Sequence, residues 1–321
     1  MSYIYSSFFY WKTIIFILGI TNFLIKAAMK ILITGGSGLL GQYLNLELSK
    51  ENQILTTYYT QSGNCKNFYS AVADIRSYPQ LKIIFESFKP EVVIHTAAIA
   101  DPQLSTSLNA KEVYDTNVSA TKKIAELCDS YSAKLIYTST DLVYAGYRGS
   151  MLKEDAKLNP ISLYAETKLM AEIKIQETFD NYLILRIALL YGFGIGNRKN
   201  HFHQMYNDLK AGTPVKLFFD QFRTPLSLPE AARVISELCR KEIKSEIINV
   251  GGKERVSRVE MGEILCNTAG FDKNLIQKIS MNDLPGYPAV EDVSLNTEKL
   301  QSSGIKLKSV EESVKEILSL A

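Results

Sequence analysis

Short apolar runs alternate along this chain with longer stretches of helical period. Residues 31–33, 92–94, 135–137 and 247–250 are apolar runs with little polar interruption, the pattern of strands covered on both faces. Residues 53–59 and 69–73 alternate enough to be two further strands. Between the runs lie helical patterns: Leu44, Leu46 and Leu48, then residues 81–88, 111–130, 160–179 and 229–240. Residues 257–269 form another, with Ser257 at the cap and Glu260 at the capping-box offset. Strand and helix in regular alternation predict an α/β fold with a doubly wound parallel sheet. The return of residues 247–250 to the sheet divides the chain into 29–192 plus 226–251, which build it, and 193–225 plus 252–321, a smaller C-terminal lobe.

The first apolar run ends in Thr34-Gly35-Gly36-Ser37-Gly38-Leu39-Leu40-Gly41 and passes directly into a helix. Strand, glycine turn and helix start together mark a Rossmann-like dinucleotide site. One glycine makes the tight turn, another admits a pyrophosphate, and Gly41 lets helix and strand approach. The helix N-terminus offers free N–H groups and the positive end of its dipole to phosphates.

The second strand ends in Tyr58-Tyr59-Thr60-Gln61-Ser62, where an adenosine ribose would lie. It carries no acid, which would repel a 2′-phosphate, and no arginine to grip one; the missing acid tips the balance to NADP(H) over NAD(H). Asp74, beside Ile75 at the end of the third strand, would accept from an adenine amino group or cap the following helix. Small residues Ala97 and Ala98 after the fourth strand leave room for ribose and pyrophosphate. His95, inside an apolar strand, reads as a satisfied core histidine. The fifth strand delivers Ser139, Thr140 and Asp141 to its carboxyl end, the edge where open parallel sheets collect ligands.

On the helix of residues 160–179, Tyr164 and Lys168 lie one turn apart on one face. With the glycine turn and the Ser/Thr cluster, this pair resembles the catalytic Tyr and Lys of the extended short-chain dehydrogenases/reductases. The resemblance runs from about residue 29 to 318 and is closer to the dTDP-4-dehydrorhamnose reductases. Ser139-Thr140-Asp141-Leu142-Val143-Tyr144-Ala145-Gly146 is similar to their strand-end motif, and Leu185-Arg186, Tyr191-Gly192, Asp220-Gln221 and Pro225 follow their order. Two departures fall on the substrate side: Leu189 replaces a tryptophan, and Tyr287-Pro288 stands where an Arg-Pro pair is expected.

The resemblance implies an NAD(P)H-dependent reduction of a keto group on a nucleotide-linked sugar, with Thr140, Tyr164 and Lys168 as the catalytic set. Gly35, Ser37, Gly38, Leu39, Leu40, Gly41, Tyr59, Asp74, Ile75, Ala97, Ala98 and the structural Asn117 would hold the cofactor, with Tyr164 and Lys168. Tyr164 would protonate the developing oxygen, and the Lys168 ammonium would lower the tyrosine's pKa. Thr140 would aim the carbonyl, while Asp141 assists on the substrate side or simply caps. Leu142 occupies the place where sugar-nucleotide dehydratases carry a proton-abstracting Glu. The resemblance also implies a homodimer through the helices of residues 111–130 and 160–179. Two alternatives stay open: a sugar-nucleotide epimerase of the same superfamily, and a non-catalytic NADP-binding module like the regulatory subunit of methionine adenosyltransferase.

Composition adds exclusions. A net charge of +2 argues for no nucleic-acid surface. Cys65, Cys128, Cys239 and Cys266 have neither metal-ligand spacing nor a disulfide framework, which fits a reducing, cytoplasmic setting. Residues 1–28 differ: aromatics precede Lys12, and an apolar run follows from residue 13 to 25. This leader reads as a mis-assigned start ahead of Met29, as a membrane anchor with the catalytic body on the cytoplasmic side, or as a signal peptide. Membrane contact follows only if the leader is retained. In the lobe, Arg198, Lys199 and Arg223 are candidates for a nucleotide diphosphate or are surface charges. His201 and His203, without a third ligand, read as loop residues and not as a metal site.

Overall fold

The computed structural model describes residues 28–320 except 101–108, 145, 147, 148, 197, 199 and 285–289. Tyr287-Pro288, Lys199 and the leader up to residue 27 therefore lie outside the described residues. The first half runs β1 (Lys30–Thr34), α1 (Leu39–Leu48), β2 (Gln53–Tyr58), β3 (Ser70–Val72), α2 (Tyr78–Phe88) and β4 (Val92–His95). A helical rod follows: α3 (Ala110–Tyr114), a π-helical turn (Asp115–Ser119) and α4 (Ala120–Ser130). Then come β5 (Lys134–Thr140), α5 (Leu163–Thr178), β6 (Tyr182–Ile187) and the short β7 (Leu190–Tyr191).

The second half begins with α6 (His201–Lys210), β8 (Val215–Phe218), β9 (Phe222–Arg223) and β10 (Leu226–Ser227). It continues with α7 (Leu228–Cys239), β11 (Glu246–Val250), β12 (Val256–Ser257), α8 (Arg258–Ala269) and β13 (Ile276–Ile279). Two helices, α9 (Glu298–Ser302) and α10 (Val310–Ser319), complete it.

Seven strands form one parallel sheet in the order β11-β6-β5-β4-β1-β2-β3. Parallel pairing needs helical crossovers, and these cover both faces, so the central strands β1, β4 and β6 are buried along nearly their whole length. One face buries Ile31, Ile33, Ile94 and Leu183 with Leu44 of α1 and Ile235 of α7. The opposite face buries Leu32, Val93 and Leu135 with Phe85 of α2, Ile124 of α4 and Ile175 of α5. A third core joins α6, α8, β8, β13 and α10 through Phe202, Met205, Leu265, Leu217, Ile276 and Val314. Leu300 and Ile305 pack with the first core, although that stretch was expected in the lobe. Among the described residues no helix is long and apolar enough to cross a membrane. All four cysteines are buried and free.

The strand order reverses between β1 and β4, whose register places Thr34 beside His95. A crevice opens outside the carboxyl ends of strands at such a switch point. The glycine turn leaves β1 there, and residues 96–98 leave β4.

Candidate active site

The glycine turn is shaped by close backbone approach. Gly35 has φ of +73°, and a Cβ on it would lie 2.6 Å from the Ala97 nitrogen. A Cβ on Gly41 would lie 2.2 Å from the Gly35 carbonyl oxygen. Gly38 stands at the N-cap of α1 without a side-chain cap, so the first N–H groups of the helix face the turn. Those features fit a dinucleotide pyrophosphate held by Ser37, Gly38, Leu39 and Leu40 with the alanines opposite.

Near the carboxyl ends of β2 and β3, Tyr59 is exposed and Ile75 is buried in the second core. Asp74 does not cap α2, whose N-cap is Ser77. Its carboxylate is instead clasped by Arg76, with Nε at 3.0 and 3.1 Å and Nη2 at 2.8 Å, which holds it below the usual carboxylate range. The same guanidinium lies 5.7 Å from the Tyr59 ring centroid. The expectation of no arginine near the end of β2 is thus corrected: parallel pairing of β2 with β3 brings one there from 17 residues away. Beyond β2 a cleft of about 670 Å³ is lined by Thr60, Gln61, Ser62, Lys66, Gln42 and Arg198.

Asn117 sits in the π-helical turn and acts as a clip. It accepts from Ile99 N at 2.8 Å and donates to Ile99 O and Thr167 Oγ1, both at 3.1 Å. His95 is fully buried between two threonines, Thr34 at 2.6 Å and Thr121 at 2.9 Å. Thr121 already donates to Asn117 O, so it accepts from His95 Nε2–H, and Nδ1 accepts from Thr34. Burial pushes the imidazole down to about 3, which leaves a neutral core histidine.

Ser162 starts α5 by accepting from Ala165 N at 3.2 Å, and Tyr164, Lys168 and Glu172 then fall on successive turns of one face. Tyr164 lies beside Thr140, which stands at the end of β5. Thr140 also accepts from Leu142 N and donates to Asp141 Oδ1, both at 3.2 Å. Lys168 is buried, with its ammonium 4.0 Å from the Tyr137 ring centroid. Sequence spacing alone misjudged the electrostatics. Burial, aided by the Asp141 carboxylate, raises the Tyr164 pKa where a depression by Lys168 was expected. Burial also lowers Lys168 to about 7 despite the opposing pull of Glu172.

Asp141 is buried and its pKa is raised by that burial, against the pull of Arg223, whose Nε is 3.9 Å from Oδ2. Arg223 does not face open solvent. It is 5% exposed and donates to Phe222 O at 2.6 Å and Val290 O at 3.2 and 3.3 Å, which holds that segment against Asp141. Arg258, missed in the sequence, starts α8, donates to Gln221 Oε1 at 2.8 Å and adds a second positive charge near Asp141. Arg258 also lines a cavity of about 120 Å³ with Leu189, Tyr191, His201, Phe202 and Met261. His201 and His203 belong to the first turn of α6, not to a loop, since Asn200 caps that helix by accepting from His203 N at 2.9 Å. Among the described residues no group of side chains could hold a metal ion. Leu142 packs into a small apolar cluster with Val143 and Tyr144.

Comparison with known proteins agrees with this geometry. The chain is 27% identical over 261 residues to a probable low-salt glycan biosynthesis reductase of Haloferax volcanii, covering 78% of this chain and 84% of that protein. It is 25% identical over 284 residues to the beta subunit of methionine adenosyltransferase 2 of Xenopus laevis, covering 85% and 82%. The fold matches a dTDP-4-dehydrorhamnose reductase of Bacillus anthracis, solved in complex with NADP, with a TM-score of 0.80 at 22% identity over 92% of this chain and 99% of that one. The fold is that of an extended short-chain dehydrogenase/reductase. A family model described as the RmlD substrate binding domain matches residues 29–321, and the chain belongs to that family.

Proposed function

We propose that the protein is an NAD(P)H-dependent reductase of a keto group on a nucleotide-linked sugar, similar in activity to the dTDP-4-dehydrorhamnose reductases. One observation carries this reading: Tyr164, beside Thr140 and one helical turn from Lys168, stands at the sheet edge that also bears the glycine turn. A bound nicotinamide would supply the hydride. Tyr164 supplies the proton, and its raised pKa suits that role because the phenol holds its proton through the neutral range. Thr140 orients the carbonyl oxygen toward Tyr164. Lys168 places positive charge beside the oxygen as it becomes an alkoxide. Leu142 supplies no carboxylate for removing a ring proton, which favours reduction over dehydration.

NADP(H) is the preferred cofactor in this reading. Lys66 and Arg198 line the cleft beyond β2, and no acid stands at the end of that strand. Residues 193–225 and 252–321 supply the sugar-nucleotide side, where Leu189 in place of tryptophan borders the smaller cavity. Tyr114 of α3 with Met170 and Ile173 of α5 exposes an apolar face on packed helices, which supports a homodimer. A second reading, a cofactor-binding regulatory subunit, draws on the likeness to the methionine adenosyltransferase beta subunit.

The test mixes protein, NADPH or NADH and a panel of 4-keto sugar nucleotides and follows cofactor absorbance. Oxidation should fall by about 10²–10⁴-fold in Tyr164→Phe with cofactor affinity retained. Epimerised sugar without net cofactor oxidation would replace this reading with the epimerase. Tight cofactor binding with no turnover of any sugar would replace it with the binding module.

A further inference from the structure

Beneath the active site runs a buried polar chain that the proposed reaction does not itself use. Glu172 and Arg186 are 1% and 2% exposed and form an ion pair 2.8 Å apart. Arg186 donates to Glu172 with Nε at 3.2 Å to both oxygens and Nη2 at 2.8 Å to Oε2. Ser139, next to Thr140 on β5, donates to Glu172 Oε1 at 2.5 Å. On its other side Arg186 donates through Nη1 to Tyr144 OH and Glu154 O, both at 2.9 Å. Tyr144 donates in turn to Asn249 Oδ1 of β11 at 2.8 Å. Four hydrogen bonds from Arg186 and Ser139 thus fix the Glu172 carboxylate in one place. That place is the helix face of Lys168, one turn further on.

Lys168 is the third buried charge of the group, 2% exposed, with an aromatic ring as its neighbour. The other groups around it do not balance it. His95 of β4 is neutral, and Tyr137 of β5 and Tyr164 of α5 are held protonated by burial. Asp141 lies at the end of β5 and faces Arg223 and Arg258. On the helices packed behind, Lys111 pairs with Asp115, Lys122 with Glu126 and Glu112 with Arg76, on the outer surface.

We propose that Glu172 is a positioning residue: its carboxylate, fixed by Arg186 and Ser139, is the counter-charge that sustains the ammonium of Lys168 in the buried site. The catalytic consequence rests on the reductase reading, but the charge relation does not. A carboxylate near a buried amine shifts its titration by about one unit or more. Removing Glu172 alone leaves Arg186 as an unbalanced cation and depresses Lys168 most. Removing both charges depresses it less.

The decisive measurement is competitive acetylation of Lys168 in the cofactor-free full chain, quantified by mass spectrometry as a function of pH. Glu172→Gln and the double variant Glu172→Gln/Arg186→Met are compared with the parent, the double variant because it strands no buried charge. The expected order of labelling midpoints is parent, double variant, single variant, with the single variant lower by about one pH unit, a tenfold change in proton affinity. The alkaline limb of the kcat profile should move by the same amount. A folded variant whose Lys168 midpoint equals that of the parent overturns the proposal. The labelling reads Lys168 directly, so it tests the charge relation even if no sugar is found to be reduced.

Discussion

Two glycines of the same turn should respond to the same substitution in opposite ways. A methyl group at Gly41 would sit 2.2 Å from Gly35 O, 2.7 Å from Gly36 Cα and 2.9 Å from the Gly36 carbonyl carbon. All three atoms are backbone, so relief requires α1 to lift off the turn by about 1 Å to reach ordinary contact. Such overpacking costs about 1–3 kcal/mol, and the rigid neighbours place Gly41→Ala at the upper end. A methyl at Gly38 meets only Gly35 O, at 3.2 Å, and Gly38 has an ordinary φ of −71°. Gly38→Ala should therefore stay within about 0.5 kcal/mol of the parent. Its Cβ instead occupies the approach of a pyrophosphate to the helix N-terminus, so cofactor affinity should fall tenfold or more, about 1.4 kcal/mol. Urea unfolding followed by circular dichroism reads the first quantity, and NADPH fluorescence titration reads the second. An unchanged unfolding midpoint in Gly41→Ala, or parental NADPH affinity in Gly38→Ala, would refute the assignment of roles within the turn.

Three further outcomes are expected. Lys168 titrates near 7 in the folded chain against 10.5 for an ordinary lysine, so between those values the unfolded chain binds a proton that the native state does not. Stability should accordingly rise with pH across that window relative to a Lys168→Met variant, as measured by urea melts at matched pH. Charge reversal at Lys66 and Arg198 together should weaken NADPH binding at least tenfold while leaving NADH within twofold, since only the former carries the 2′-phosphate; equal losses for both cofactors would count against the cleft as its site. Ile173→Glu should convert a dimer to a monomer in light scattering without loss of helical signal, and a monomeric parent would remove the dimer from the account.

What the chain revealed in advance follows the range over which each structural relation is set. The β1 turn and the Tyr164–Lys168 pair were legible because both depend on backbone periods a few residues long. The helix expected over residues 160–179 runs from Leu163 to Thr178 behind its cap Ser162, a shift of the kind that end effects produce. The π-helical turn at Asp115–Ser119 had no visible signal, because it is held partly by the Asn117 amide reaching Ile99 and Thr167, partners 18 and 50 residues away. Arg76 was overlooked for the same reason, since only the register of β2 against β3 sets it beside Tyr59.

The sign of the Tyr164 shift shows the limit most clearly. Spacing reports which charges are neighbours, and a neighbouring ammonium does stabilise a phenolate. Spacing does not report desolvation, which opposes every charged form at once and here dominates for Tyr164, Lys168 and Asp141 alike. In a site this dry, a lysine is only as cationic as its counter-charge makes it. Glu172 therefore matters more than its distance from the substrate edge suggests: it stands on the same helical face, one turn deeper, and Arg186 and Ser139 hold it there through four hydrogen bonds. If the proton donor at the surface of the site is Tyr164, the charge that assists it is set from beneath by a carboxylate that never meets the substrate.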